Sequence, residues 1–135
     1  MNGLCLDTNA YSGFMRGSEA AVALIESADH LWMPFVVLGE LRAGFSKGSR
    51  AGINEAELAE FLASPHVAIA GAGDATSRIY ARVFDALRRS GTPIPANDLW
   101  VAACALEQHS ALFSLDAHFA GIEGLKVVGK PEDWR

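Results

Sequence analysis

Leu4-Cys5-Leu6-Asp7-Thr8-Asn9 sets three apolar residues directly against three polar ones. A short apolar run closed by turn-forming residues reads as a buried strand followed by a turn. The pattern returns along the chain. Leu31-Trp32-Met33 closes at Pro34, Val67-Ala68-Ile69-Ala70 runs into Gly71, and 111–115 runs into Asp116. A fifth strand is expected over 125–128. Between these runs the apolar spacing changes to that of helices. Ser18-Glu19 ahead of AAVALIESA reads as a capped helix start. Val37, Leu41 and Phe45 recur at helical spacing, and 53–63 continues in the same manner. A longer amphipathic helix is expected over 74–90, with Ile79, Val83 and Leu87 on one face and a stop at Gly91-Thr92-Pro93. The segment 96–109 is largely apolar and reads as a central helix. Gly44 to Gly52 (GFSKGSRAG) is polar, basic and glycine-rich, and is expected to be a mobile loop.

Strands alternating with helices specify an α/β domain with a mainly parallel sheet between helical layers. The 135 residues are enough for one such domain and its core. In open sheets of this kind ligands bind beyond the carboxyl ends of the strands, where strand order reverses. Asp7 and Asp116 both lie just past strand ends.

Composition narrows the partners. Half of the residues are hydrophobic and no apolar run approaches the ~20 residues of a membrane span. The first residues lack the basic and apolar regions of a signal peptide, so the cytoplasm is the expected location. Cys5 and Cys104 sit in apolar contexts (LCLD and AACAL) and read as buried free thiols. His30, His66, His109 and His118 show no zinc-ligand spacing, and none is assigned a metal role. A net charge of −5 argues against nucleic-acid binding by bulk positive charge. If four acids are neutralised by cations, however, the remaining surface is close to neutral.

Those four are Asp7, Glu40, Asp98 and Asp116. Each has an ordinary explanation. Asp7 can start an Asx turn, Glu40 can be a solvated helical charge, Asp98 can cap its helix, and Asp116 can cap a short one. Glu40, though, has Val36, Val37, Ala43 and Gly44 as helical neighbours and is expected to border the buried face. Asp98 is in line with Val101, Ala102 and Ala105, and is expected to point inward. Strand ends and helix starts can converge on one crevice. Four carboxylates held together repel one another unless cations neutralise them. Mg²⁺ or Mn²⁺ suits such an oxygen-rich site. A cation there activates water for attack on a phosphodiester and stabilises charge on the leaving oxygen. Ser114 can add a hydroxyl on the same side of its strand as Asp116.

Over essentially its whole length the chain resembles a PIN-domain ribonuclease of the VapC toxin type. The resemblance rests on LDTNAYSG at the first strand, PFVVLGELRAGF after the second, IPANDLWVAACALE in the central helix and FSLDAHF after the fourth strand. It implies a three-layer α/β/α sandwich with strand order 3-2-1-4-5. Asp7, Glu40, Asp98 and Asp116 match the family's acidic positions, which hold one or two Mg²⁺ or Mn²⁺ ions. Ser114 matches a supporting hydroxyl residue, and Thr8 and Asn9 match the polar pair after the first acid. The resemblance further implies a homodimer, a cognate VapB-type antitoxin that blocks the acidic pocket, and a structured RNA target such as a tRNA or an rRNA loop. Arg42, Lys47 and Arg50 are candidate phosphate contacts beside the pocket. A receiver-type phosphoacceptor domain is the rival reading, suggested by Lys130-Pro131 after the last strand. It lacks adjacent acids after strand one and an acceptor Asp after strand three. A haloacid-dehalogenase-type phosphatase would need an acid where Asn9 stands. A PIN fold used only for binding is the remaining alternative. Trp32, Trp100 and Trp134 fit core or interface positions, and Trp134 is a candidate to pack on a partner.

Overall fold

The central strand is the apolar run near the amino terminus. A computed structural model of the chain describes residues 3–134. In chain order the elements are β1 (Gly3–Leu6), α1 (Thr8–Met15), α2 (Glu19–Ser27), β2 (His30–Pro34), α3 (Phe35–Ser46), α4 (Ala51–Ala63), β3 (Val67–Ala70), α5 (Asp74–Arg89), α6 (Ala96–Glu107), β4 (Ala111–Phe113) and β5 (Val127–Val128). Short 3-10 helices follow β4 and β5, at Ala117–Gly121 and Pro131–Trp134.

The strands form one sheet in the order β3-β2-β1-β4-β5, with every neighbouring pair parallel. Leu4 pairs with Leu31 on one side and with Ala111 on the other, and Leu6 pairs with Phe113. A strand with neighbours on both sides and helices on both faces must be apolar throughout. Leu4, Cys5 and Leu6 are indeed fully buried. Parallel neighbours need crossover connections, which are right-handed. The crossovers through α1 to α4 step away from β1 in one direction, and the one through α5 and α6 returns past it to β4. The helices therefore cover opposite faces of the sheet. The expected strand order holds, and it differs from the 2-1-3-4-5 order of receiver domains.

The core joins Leu24 of α2, Met33 of β2, Val37 of α3, Leu58 of α4, Leu112 of β4 and Phe119 behind it, all essentially inaccessible. Across the sheet, α6 is buried from Val101 through Ala105 and packs along α5. Trp100 joins three helices by ring contacts, with centroids 4.2 Å from Tyr80 of α5 and 5.9 Å from Phe35 of α3. Thr76 of α5 is fully buried and donates to Glu107 Oε1 at 2.5 Å, tying the start of α5 to the end of α6.

The structure departs from the sequence expectations in several places. The turn expected after β1 is the first turn of α1. Its residues, TNAYSGFM, include poor helix formers. What stabilises it is a cap and the burial of Ala10, Tyr11 and Gly13. The mobile loop expected over 44–52 shrinks to the four residues 47–50. α3 continues to Ser46 and α4 already begins at Ala51, because packing of α3 on α4 outweighs the glycines at 44 and 52. The fourth and fifth strands are shorter than expected, ending at Phe113 and starting at Val127. Trp134 lies in the chain's own core at 7% exposure, with its carbonyl accepting from Lys126 Nζ at 3.2 Å, so it is not free to pack on a partner. Cys5 and Cys104 are buried free thiols.

Candidate active site

The switch point of this sheet lies between β1 and β4, and both strands end there in polar residues. Asp7 follows β1 and extends the pairing, its N–H donating to the Phe113 carbonyl at 3.3 Å. Its side chain turns back to cap α1, with Oδ1 accepting from Ala10 N–H at 2.8 Å. Asp7 is 8% exposed. Burial raises its carboxyl pKa above the ordinary value, and the charges of Asp116 and Asp98 add to the rise. Hydrogen bonds from the Ser114 hydroxyl and Ala10 N–H oppose it. That pattern describes a carboxylate placed near like charges in a poorly solvated position.

Ser114 is buried just past β4 and serves two acids. Besides its bond to Asp7, its Oγ accepts from Asp116 N–H at 3.0 Å. Asp116 in turn caps the 3-10 helix Ala117–Gly121, with Oδ1 accepting from His118 N–H at 2.9 Å. Phe119, one residue further, is buried and anchors this short helix in the core. Asp98 projects from the first turn of α6, with its side chain 24% exposed. It therefore stands at the rim of the core rather than inside it. The ordinary alternative, Asp98 as a helix cap, does not hold either: Pro95 has the N-cap position and no side chain caps the helix.

Glu40 departs further from expectation. It lies on the exposed side of α3, not at the border of the buried face. It is nonetheless linked to the other acids through their chain neighbours. Thr8 Oγ1 donates to Glu40 Oε1 at 2.8 Å, and Asn97 Nδ2 donates to Oε2 at 3.5 Å. Thr8 follows Asp7 and Asn97 precedes Asp98, so Glu40 spans the mouth of the crevice. Asn9 is exposed on α1 and makes no side-chain hydrogen bond among the described residues.

One residue that the sequence reading set aside belongs here. His118 Nδ1 lies 2.6 Å from Asp98 Oδ2 and 3.2 Å from Asp116 Oδ1. Asp98, Asp116 and His118 each offer one ligand atom, and these atoms lie within 4.8 Å of one another. The signal available in the sequence was proximity alone, since His118 stands two residues after Asp116. Zinc-type spacing rules could not find it, because its partner Asp98 is twenty residues away on another element.

Among the described residues, no lysine or arginine makes an ion pair with Asp7, Glu40, Asp98 or Asp116. Arg42 is engaged elsewhere, its Nε 2.8 Å from Glu55 on α4. Lys47 and Arg50 are exposed on the turn between α3 and α4. The crevice thus gathers carboxylates with His118 beside two of them and no lysine or arginine partner among the described residues, and carboxylate oxygens fit a hard divalent cation.

The model of the PIN domain matches residues 4–125. The chain belongs to the PIN domain family. Among characterised members, ribonuclease VapC5 of Mycobacterium tuberculosis is 29% identical over 123 residues, covering 91% of this chain and 90% of the relative. The crystal structure of VapBC-5 from the same organism superposes with a TM-score of 0.69 at 27% identity, over 93% of this chain and 97% of that one. VapBC2 from Rickettsia felis, bound to a DNA fragment from its promoter, gives a TM-score of 0.80 at 22% identity, over 93% and 97%. In this PIN domain Asp7 directly follows β1, Asp116 lies three residues beyond β4, Glu40 is on α3 and Asp98 is on α6. Among the described residues no helix is long and apolar enough to cross a membrane.

Proposed function

We propose that this PIN domain is a metal-dependent endoribonuclease and the toxin of a toxin–antitoxin pair, hydrolysing phosphodiester bonds in a structured RNA such as a tRNA or rRNA. The observation that carries the reading is the convergence of Asp7, Asp98 and Asp116, with no lysine or arginine paired to them among the described residues, at the switch point of a PIN-type sheet. The relatives named VapC ribonucleases support the reaction class.

Asp7, Glu40, Asp98 and Asp116 are the residues that would hold Mg²⁺ or Mn²⁺. When bound, such a cation supplies an activated water and stabilises charge on the departing oxygen. The chain's own groups set the geometry. Ser114 sits between the two strand ends, accepting from the Asp116 N–H and favouring the charged form of Asp7. Thr8 and Asn97 hold Glu40 across the mouth. Lys47 and Arg50, on an exposed turn, are the candidate phosphate contacts. Arg42, paired with Glu55, would have to exchange that partner to join them.

A VapB-type antitoxin is the proposed partner, supported by the VapBC complexes among the structural relatives. A homodimer and a cytoplasmic location complete the reading. The test is cleavage of total cellular RNA by purified protein with Mg²⁺ or Mn²⁺, with EDTA, and with Asp7→Asn and Asp98→Asn. Discrete fragments that vanish with EDTA and in either variant are expected. Cleavage that persists in both variants rejects the acid site, and no cleavage by any form favours a binding role for the fold.

A further inference from the structure

We propose that His118 is a nitrogen ligand to the cation of this crevice, and that it makes the site favour a first-row transition cation such as Mn²⁺ over Mg²⁺. The inference rests on reading the acidic crevice as a cation site.

Three observations lead to it. The imidazole is placed at the point where two carboxylates meet, with Nδ1 within hydrogen-bond reach of Asp98 Oδ2 and near Asp116 Oδ1. A group there either joins the coordination sphere or blocks it. The main chain under the ring is also anchored. The backbone N–H of His118 donates to Asp116 Oδ1 and the neighbouring Phe119 is buried, so the Asp116 carboxylate and the backbone that carries the imidazole are fixed together. Finally, the three side chains are open to solvent on one side. His118 is 47% exposed, Asp116 39% and Asp98 24%, so a hydrated ion can reach them without opening the core.

The chemical consequence follows from the donor type. Carboxylates and waters satisfy Mg²⁺, which holds its waters tightly and gains little from a nitrogen. Mn²⁺ is also served by carboxylates and is the weakest nitrogen binder of the first-row series. It nonetheless exchanges a water for an imidazole more readily than Mg²⁺, which dehydrates reluctantly. Two carboxylates plus one imidazole therefore shift selectivity in one direction. An imidazole that only pairs with the two aspartates would leave Mn²⁺ and Mg²⁺ affinities changing together when it is removed.

The test uses the full chain stripped with EDTA. Mn²⁺ and Mg²⁺ binding would be titrated by calorimetry for the wild type, His118→Gln and Asp98→Asn, with circular dichroism confirming the fold of each. Electron spin-echo modulation of the bound Mn²⁺ reports directly on a coordinated nitrogen. The expected result is a ¹⁴N coupling in the wild type that disappears in His118→Gln. Mn²⁺ affinity should fall by about 10-fold or more, while Mg²⁺ affinity changes by less than about 3-fold. His30, His66 and His109 remain in the variant and serve as internal controls. If Mn²⁺ binds, depends on Asp98 and shows no nitrogen coupling, His118 is not a ligand and the carboxylate site stands. If the wild type binds no Mn²⁺, or binds it equally in Asp98→Asn, the cation site itself is rejected and His118 ligation with it.

Discussion

Replacing Asp7 by Asn separates the two things its carboxylate does. As a cap, Oδ1 accepts the Ala10 N–H of α1, and an Asn side chain can accept the same bond. As a charge, it is buried beside Asp98 and Asp116 with its pKa raised. Asn removes the charge and keeps the cap. The Ser114 hydroxyl can then rotate to accept from the new amide instead of donating to a carboxylate. Asp7→Ala loses the cap as well, which costs about 1 kcal/mol, or roughly 3–5 °C of melting temperature for a chain of this size. In EDTA at neutral pH, Asp7→Asn should therefore melt no lower than the wild type, and Asp7→Ala about 1 kcal/mol below Asp7→Asn.

The pH dependence follows from the sign of the shift. A carboxyl whose folded pKa is raised binds more protons in the folded state than in the unfolded one, between its ordinary value near 3.8 and its raised value. Its charged form thus lowers stability above that window, and the penalty fades as pH falls through it. The advantage of Asp7→Asn should be full at neutral pH and shrink on acidification. A cation reverses the order. At ten times Kd it would stabilise the wild type by about 1.4 kcal/mol, and Asp7→Asn should gain less. Thermal melts by circular dichroism in EDTA and in Mn²⁺, from neutral pH into the acid range, decide the matter. If Asp7→Asn melts as far below the wild type as Asp7→Ala does in EDTA, the charge is stabilising where it lies and the reasoning fails.

Other outcomes can be stated more briefly. Glu40→Gln is on an exposed helix face and should alter stability by less than about 0.5 kcal/mol, yet reduce RNA cleavage if Glu40 closes the site; a variant with full activity places Glu40 outside it. Thr76→Val removes the hydroxyl that serves both Gly73 N–H and Glu107. It should destabilise by about 1–3 kcal/mol in urea melts, and a loss well below that range would mean the α5–α6 tie is dispensable. Burial raises the Cys5 thiol pKa and pushes Cys104 up to about 12, so both stay protonated at pH 8. Iodoacetamide followed by mass spectrometry should find them unmodified in the native protein and modified in urea. Lys47→Ala with Arg50→Ala should weaken RNA binding and flatten its salt dependence, and an unchanged salt slope would remove both from the phosphate contacts.

The positions of the acids illustrate how far a linear reading reaches. Asp7 and Asp116 could be placed at a crevice because each follows an apolar run, and a parallel sheet puts such ends on one edge. Glu40 resisted placement. Helical spacing put it against the core, whereas α3 is rotated so that Glu40 faces solvent and meets Thr8 and Asn97. α1 escaped notice because its stability comes from a cap and from burial of Ala10, Tyr11 and Gly13, not from its propensities. The glycines of 44–52 suggested a mobile loop for the opposite reason: packing of α3 on α4 overrides the local preference.

By itself the sequence determined the alternation of strands and helices, and with it a parallel sheet whose carboxyl edge carries acids, because burial on both faces writes apolar runs that local reading detects. Only the tertiary structure decided which side chains meet. The approach of His118 to Asp98, the shared role of Ser114 and the span of Glu40 across the mouth all join separate elements. Their distances depend on how α6 and α3 lie against the sheet, and such rotations are set by packing volumes that no residue spacing encodes.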